Sequence, residues 1–226
     1  MRFLSLCVLV AIVFVSSCNP TPQPNNPAAT GCAFAPNQNG NDLRMNCTVQ
    51  GDIGNLRVDP FVAGNAPCGL NSWTIFNQTI NTPMVAIYGQ NGDDSDSRVR
   101  VGVTIGPGTH SGKIAKDNPT DNCNTTVGAQ FDINTSFAGT HVALVDKGRN
   151  PMCVFQSRLT LDTFNQTLTA GVPLDISGMT KDSTRDSLHK RIDLEVARAV
   201  NRLLRPNANV GNSGRCPNDW TPFTGN

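Results

Sequence analysis

The sequence predicts a mainly β domain, an antiparallel β-sandwich or barrel-like fold with one C-terminal amphipathic α-helix. Three observations predict it. Apolar and polar residues alternate over much of residues 32–180, turn-forming clusters separate the alternating runs, and one run with helical spacing follows them. The composition agrees with this fold class, because 25 Asn, 20 Gly and 15 Pro favour turns and Glu195 is the sole Glu.

Eight short strands are expected in this part of the chain, without intervening helices. Four runs alternate clearly: Leu43–Val49, Val99–Ile105, Ala129–Ile133 and Cys153–Leu161. The last of these runs places Cys153, Phe155, Ser157, Leu159 and Leu161 on one buried face. The shorter candidates are Trp73–Phe76, Pro83–Tyr88, His141–Val145 and Leu168–Ile176. We expect the aromatic side chains of Trp73 and Tyr88 in the core.

Turn clusters are predicted at Gln90–Asp93, Gly106–Gly108 and Lys147–Pro151. The stretch Gly106–Lys113 invites comparison with a phosphate-binding loop. It departs from that motif because Pro107 stands where a Gly is required and Ile114 replaces the Ser or Thr that would hold magnesium. The stretch therefore predicts a hairpin turn.

A helix is predicted over about residues 184–205. Ser183–Asp186 resembles a capping box, with Asp in place of the usual Glu, and Pro206 ends the run. An apolar stripe at helical spacing should face the sheet; it consists of Leu188, Ile192, Val196, Ala199 and Leu203. The opposite face should be solvated, with contact to anionic lipid or polysaccharide as the alternative; it carries Arg191, Arg198, Arg202 and Arg205. The remaining residues should form a loop tail that Cys216 could hold to the domain.

Residues 1–17 have the features of a signal peptide. Arg2 precedes the largely apolar stretch Leu4–Val15, whose twelve residues are too few to span a bilayer. The next residues, Val15-Ser16-Ser17-Cys18, resemble the lipobox of bacterial lipoproteins. The resemblance implies cleavage before Cys18 and a lipid on its sulfur. Residues 18–31, with four Pro and no charged residue, predict a flexible tether, and residues 32–226 predict a single β-rich domain.

The lipoprotein resemblance implies an extracytoplasmic location in the bacterial cell envelope. In Gram-negative members of the family an Asp after the lipidated Cys often retains the protein at the inner membrane, so Asn19 would permit transfer to the outer membrane. The alternative is an ordinary secretory signal and a secreted protein. In a eukaryote, its Asn-x-Ser/Thr sites could carry glycans; these are Asn46, Asn77, Asn124, Asn134 and Asn165.

Cysteine parity predicts disulfides. With Cys7 removed and Cys18 lipidated, six cysteines remain in an exported chain, which favours as many as three disulfides with the pairing left open. The candidates are Cys32, Cys47, Cys68, Cys123, Cys153 and Cys216. No CxxC pair is present, so a structural zinc site is not expected.

No metal site, cofactor or catalytic motif is predicted. The acidic loop carries calcium candidates, Asp93, Asp94 and Asp96, although a solvated loop is the favoured interpretation. His110, His141 and His189 belong to no HExxH motif, and we expect them at the surface or at caps, with His110 in a turn and His141 at the start of a strand. The interpretation is a non-enzymatic binding or structural module of the cell envelope.

The expected partners follow from the anchor and the charge. A lipid on Cys18 would join the chain to the membrane, and an envelope polysaccharide or protein could be the partner of the domain. Without Arg2 the mature chain has 17 basic and 17 acidic residues, so nucleic acid is not expected. The alternative function is a secreted hydrolase of polysaccharide or peptide, which would need one of Asp132, Asp162 or Asp175 to face a second carboxylate.

Overall fold

The computed structural model describes residues 32–36, 43–58, 73–88, 97–116, 130–169, 174–207 and 209–223. Several predictions concern other residues and lie outside this range. They are the signal peptide 1–17, the tether 18–31 with Cys18, the calcium candidates Asp93, Asp94 and Asp96, and the cysteines Cys68 and Cys123.

One open sheet dominates the fold, and its strand order is β1-β2-β4-β5-β6-β7-β8, with β3 beside β4. The strands are β1 Ala35–Pro36, β2 Leu43–Asp52, β3 Leu56–Val58, β4 Trp73–Tyr88, β5 Arg98–Lys116, β6 Gln130–Asp146, β7 Cys153–Leu168 and β8 Thr221–Pro222. Pairing is antiparallel except between β7 and β8. The α-helix α1, Leu174–Leu204, packs on the sheet. The predicted mainly β, antiparallel domain with one C-terminal helix is confirmed.

Several predicted short strands are parts of longer ones. Trp73–Phe76 and Pro83–Tyr88 both belong to β4, and His141 lies well inside β6. The turn predicted at Gly106–Gly108 is wrong, because these residues lie within β5 at a register shift against β6. A bulge tolerates Pro107 there. Gly106 has φ +88°, and a Cβ at this position would come within 2.7 Å of the Phe137 carbonyl oxygen. The glycine that suggested a turn is therefore required by the backbone of the bulge.

A second bulge changes the inward face of β7. Its register against β6 shifts between the pairs Leu144–Gln156 and Val145–Val154, so Phe155 is an extra residue. Val154 therefore fills the core position predicted for Phe155, and the Phe155 ring lies under the guanidinium of Arg98. The predicted inward position of Ser157 is confirmed, since Ser157 is fully buried.

The helix is longer than predicted. It begins at Leu174, ten residues before the expected start. The separate strand predicted at Leu168–Ile176 is wrong, because Leu168 is the last residue of β7 and residues 174–176 are helical. The Ser183–Asp186 segment is helix interior instead of a cap. Tertiary contacts explain the extension, because Thr180 and Thr184 are buried and Thr184 Oγ1 accepts a hydrogen bond from Gln166.

The apolar stripe of α1 packs as predicted. Four of its members are fully buried, namely Leu188, Ile192, Val196 and Ala199, and Leu203 packs against the same cluster. The predicted core positions of Trp73 and Tyr88 are also confirmed. A smaller apolar cluster around Trp73 lies at the other end of the sheet.

The basic residues of α1 do not form the predicted solvated face. The side chain of Arg191 is 4% exposed, donates to the carbonyl oxygens of Gln50 and Asp52, and pairs with the buried Glu195. Arg198 pairs with the same carboxylate. Arg202 and Arg205 donate to backbone carbonyls of residues 32, 147 and 149. The long arginine side chains thus donate hydrogen bonds to backbone carbonyls near the ends of strands. The spacing of the residues along the helix could not indicate these contacts.

Two disulfides join four of the six candidate cysteines, Cys32–Cys47 and Cys153–Cys216, and give the pairing that the sequence left open. The second attaches the C-terminal tail to β7, as expected, and the tail contains the 3-10 helix Val210–Asn212. A disulfide involving Cys68 or Cys123 remains a prediction. The two bonds indicate an oxidising, extracytoplasmic environment. Within the described residues, no helix combines the length and apolarity that crossing a bilayer requires.

Candidate functional site

An open cleft lies between β7 and the middle of α1. Its volume is about 530 Å³, which is within the usual range of small-ligand sites. Four consecutive strand residues form one wall, and one turn of the helix forms the other. The lining residues are Arg158, Leu159, Thr160, Leu161, Arg185, Asp186 and His189.

A buried polar cluster stands behind the cleft, centred on Asp193. The Asp193 carboxylate is fully buried and accepts hydrogen bonds from His141 Nε2 at 2.8 Å, Ser157 Oγ at 3.0 Å and Arg215 Nε at 2.7 Å. The donors come from β6, β7 and the C-terminal tail, while Asp193 itself is on α1. One carboxylate therefore connects four parts of the chain.

The cluster keeps Asp193 ionised. Burial alone would raise the pKa of this carboxyl group, but the hydrogen bonds that it accepts from His141 and Arg215 outweigh burial and lower the pKa below its usual value. Three donors around one carboxylate also satisfy most of its lone pairs.

His189 connects the cluster to the cleft. Its Nε2 lies 2.8 Å from Ser157 Oγ, and this oxygen also receives the Trp220 Nε1 hydrogen at 3.1 Å. Because the single Ser157 hydrogen goes to Asp193, the network assigns a hydrogen to His189 Nε2 and leaves Nδ1 with a lone pair. Burial lowers the pKa of His189 to about 4, so the ring is neutral at pH 7.

Ser157 and His189 do not form a nucleophile–base pair. Ser157 is fully buried and directs its hydrogen to Asp193 instead of His189. Asp193 approaches the same His189 nitrogen as Ser157 does, with Oδ2 at 3.7 Å from Nε2. In a catalytic triad the carboxylate would hold the opposite ring nitrogen. This geometry is that of a fixed hydrogen-bonded network.

The same residues fit a metal ion poorly. His141, His189 and Asp193 offer ligand atoms that all lie within 4.8 Å of one another. A metal-bound histidine usually donates its other ring hydrogen to a neighbour, but His141 Nδ1 is buried without a hydrogen-bond partner. A cation would also have to compete with the Arg215 guanidinium for Asp193. The hydrogen bonds from His141, Ser157 and Arg215 already occupy the Asp193 carboxylate.

Arg215 neutralises both acids near the cleft. It bonds Asp193 through Nε and reaches Asp186 through Nη1 at 3.3 Å, while its guanidinium stacks 3.7 Å from the Trp220 ring centroid. Lys190 also pairs with Asp186 at 2.6 Å. Burial would raise the pKa of Asp186, but the two cations outweigh it and lower the pKa. Arg158 and Arg185 also line this cleft, whose own acid, Asp186, is paired with Arg215 and Lys190.

The two cleft arginines stand on opposite walls. Arg185 projects from α1, lies 4.6 Å above the Phe164 ring and has only a 3.7 Å contact with the exposed Asp182. Arg158 projects from β7 and lies 6.0 Å from the Phe223 ring centroid. Aromatic neighbours hold both guanidinium groups in place at the cleft.

The predictions for the histidines are wrong. None of the three is a surface or cap residue: His110 and His141 are 2% and 1% exposed within strands, and His189 is largely covered. His110 lies between Gln78 and Thr135 in a second buried polar group, away from the cleft. Two histidines that are distant in sequence, His141 and His189, face each other with ring centroids 5.3 Å apart.

The other candidate site residues are not brought together. Asp132 pairs with Lys113 at 3.0 Å on the exposed face. Lys113 is the lysine of the stretch that was compared with a phosphate-binding loop. Asp162 is exposed at the second irregularity of β7, and the side chain of Asp175 lies outside the described residues.

One sequence signal could have located the cluster. Ser157 and His141 occupy inward positions of apolar alternations, and His189 and Asp193 flank the apolar stripe of α1 one helical turn apart. Polar residues at positions that should be apolar need partners, and they find them in each other. No protein-family model, curated protein or solved structure matches the chain.

Proposed function

We propose that this protein is an exported cell-envelope lipoprotein whose domain is a non-enzymatic binding module for an anionic ligand. The observation that carries the proposal is the cleft between β7 and α1, where Arg158 and Arg185 stand on opposite walls and the acid, Asp186, is already paired with Lys190 and Arg215. Guanidinium groups are suited to carboxylate, sulfate and phosphate groups, which they bind through two parallel hydrogen bonds.

The rigid cluster behind the cleft supports binding more than catalysis. Ser157, His141 and Asp193 are buried and hydrogen-bonded to one another, so they position His189 and the cleft wall without offering a free nucleophile. A site of fixed geometry costs little entropy to occupy.

The hydrolase alternative would require two carboxylates that face one another across the cleft. In the part of the chain that the structure describes, Asp186 is the carboxylate that lines the cleft, and it is engaged by two cations. An acid held ionised in this way is a poor proton donor.

The location rests on the sequence and the disulfides. The lipobox resemblance at Cys18 implies attachment to the membrane, with the outer membrane favoured by Asn19 in a Gram-negative cell, and residues 18–31 provide a tether. Disulfide formation agrees with export. A freely secreted protein with the same binding domain is the alternative.

The binding proposal is tested by amide-resonance titration of the soluble Cys18→Ala protein. The probes are an oligogalacturonate, an acidic peptide of alternating Thr and Asp, and their neutral or basic counterparts. We expect an anionic probe to shift resonances around Arg158–Leu161 and Arg185–His189, and Arg185→Gln to weaken this effect. The matched control is Arg149→Gln, which changes an exposed arginine of the β6–β7 turn. If none of the anionic probes shifts the resonances of the cleft residues, the proposal is contradicted.

A further inference from the structure

The open edge of β7 forms one wall of the cleft. Strand β8 covers this edge at Gln156 and Ser157, and residues 214–216 of the tail pair with Val154. Within the described residues, no strand pairs with this side of β7 after Ser157. The next four residues, Arg158–Leu161, line the cleft consecutively. Side chains of successive strand residues point to opposite faces, so a wall made of four consecutive residues includes the backbone edge itself.

A hydrogen bond from the C-terminal tail shows which backbone groups of β7 point to this edge. Ser157 directs its carbonyl oxygen to this edge, where it accepts the Phe223 N–H at 2.9 Å. Backbone groups alternate in direction along a strand, so Leu159 and Leu161 present their N–H and C=O groups to the same edge. Over Arg158–Leu161 this edge is about 13 Å long.

We infer that the ligand of this cleft is an acidic, extended peptide segment that adds to β7 as a further strand. The inference rests on the proposed function and names its partner class. The chain already uses the same edge in this manner, because β8 pairs with Gln156 and Ser157 immediately before the free part. Addition of a strand to an exposed sheet edge is a general mode of peptide recognition.

The charge of the cleft selects the peptide. The arginines lie on both walls, Arg158 on the strand and Arg185 on the helix, and Asp186 is paired with Lys190 and Arg215. A strand-shaped peptide with an acid at every second position would direct its carboxylates to one side. Backbone hydrogen bonds would supply affinity, and the arginines would supply the preference for acidic residues.

Fluorescence anisotropy with a labelled (Thr-Asp)5 peptide tests the inference, with (Thr-Lys)5 as the matched control peptide. The decisive variant is Leu159→Pro, which removes an N–H group directed at the open edge and leaves the ladder to β6 intact. Leu159→Ala is its control, because it truncates the same side chain even further but keeps the backbone N–H. We expect Leu159→Pro to weaken binding at least about tenfold and Leu159→Ala less than about threefold.

A second measurement is independent of the folding of the variant. Two ester versions of the probe can be made, one with esters in place of the Thr amides and one with esters in place of the Asp amides. Each version lacks the N–H donors of one edge of the peptide. If the peptide adds to β7 as a strand, one of the two versions should bind the unchanged protein more weakly than the amide peptide does. Equal affinity for both ester versions and the amide peptide, or for Leu159→Pro and Leu159→Ala, would overturn strand addition. If the peptide does not bind but oligogalacturonate still shifts the cleft resonances, the peptide inference fails and the binding function stands.

Discussion

The carboxylate of Asp193 determines how the residues around it are arranged. Its position one helical turn after His189 is visible in the sequence, but its donors on β6, β7 and the tail are 52, 36 and 22 residues away. Local spacing cannot indicate such contacts, because strand pairing and the Cys153–Cys216 disulfide bring the segments together. The individual residue types were evident, and their convergence was not.

Loss of the Asp193 charge should destabilise the domain strongly. In Asp193→Asn an NH₂ group replaces one carboxylate oxygen and points at hydrogen-bond donors of the cluster. The substitution also removes the buried negative charge that pairs with Arg215 Nε. Breaking a buried pair in this way costs roughly 3–5 kcal/mol of unfolding free energy. Urea denaturation measures the loss, and Asp182→Asn is the control, since Asp182 is 82% exposed and should change stability by less than about 1 kcal/mol. Equal stabilities of the two variants would contradict the account of the cluster.

Two buried histidines should make the fold sensitive to mild acid. Burial lowers the pKa of His110 and of His189 to about 4, from 6.5 in the unfolded chain. The unfolded state then binds more protons between these values, so stability falls as the pH is lowered from about 6.5 to 4. Each histidine contributes roughly 3 kcal/mol to this fall.

The pH effect is measured by urea denaturation at a series of pH values. His110→Gln, which keeps an amide that can bond Gln78, should reduce the slope between pH 6.5 and 4 by about half, because one of the two titrating rings is removed. An unchanged slope in this variant, or stability that is constant over this interval, would show that the rings are not buried in neutral form.

At the scale of elements, periodicity located most strands and the helix but not their limits. The β4–β7 strands have 16 to 19 residues because bulges let them continue past Gly106–Gly108 and Phe155, where composition indicated turns or simple alternation. Helix α1 likewise begins early because burial of Thr180 and Thr184 outweighs their weak propensity. Composition describes local preference, whereas bulges and helix starts depend on the neighbouring strand.

The contact between α1 and the sheet should not tolerate a charge on its apolar stripe. Ile192 is fully buried in the main core cluster. Ile192→Asp would place an unpaired carboxylate there, and we expect a loss of roughly 3–5 kcal/mol. The control is Lys181→Asp at an exposed position of the same helix, which should be nearly neutral. Thermal unfolding checks this, and an unchanged melting temperature for Ile192→Asp would mean that the helix is not docked.

At the scale of the whole molecule, we propose a membrane anchor at Cys18, a tether over residues 18–31 and a binding domain over residues 32–226. The fold class, the buried stripe of α1 and two disulfides followed from the sequence because each depends on periodicity or parity. The cleft did not, because it depends on how Arg158–Leu161 of β7 lie beside one turn of α1, a contact between segments that are distant in sequence. The proposed lipid anchor at Cys18 would place the cleft at the envelope surface.

Mass spectrometry of the mature N-terminus tests this placement most directly. The lipobox resemblance predicts a chain that begins at Cys18 and carries diacylglycerol on its sulfur, with a further acyl chain on its amino group in a Gram-negative cell, since one acyl chain alone would bind the membrane only marginally. Cys18→Ala should then move the protein to the soluble fraction or stall its processing. A mature chain that begins at Asn19, or an unmodified Cys18, would contradict the lipoprotein account and leave a freely secreted binding protein.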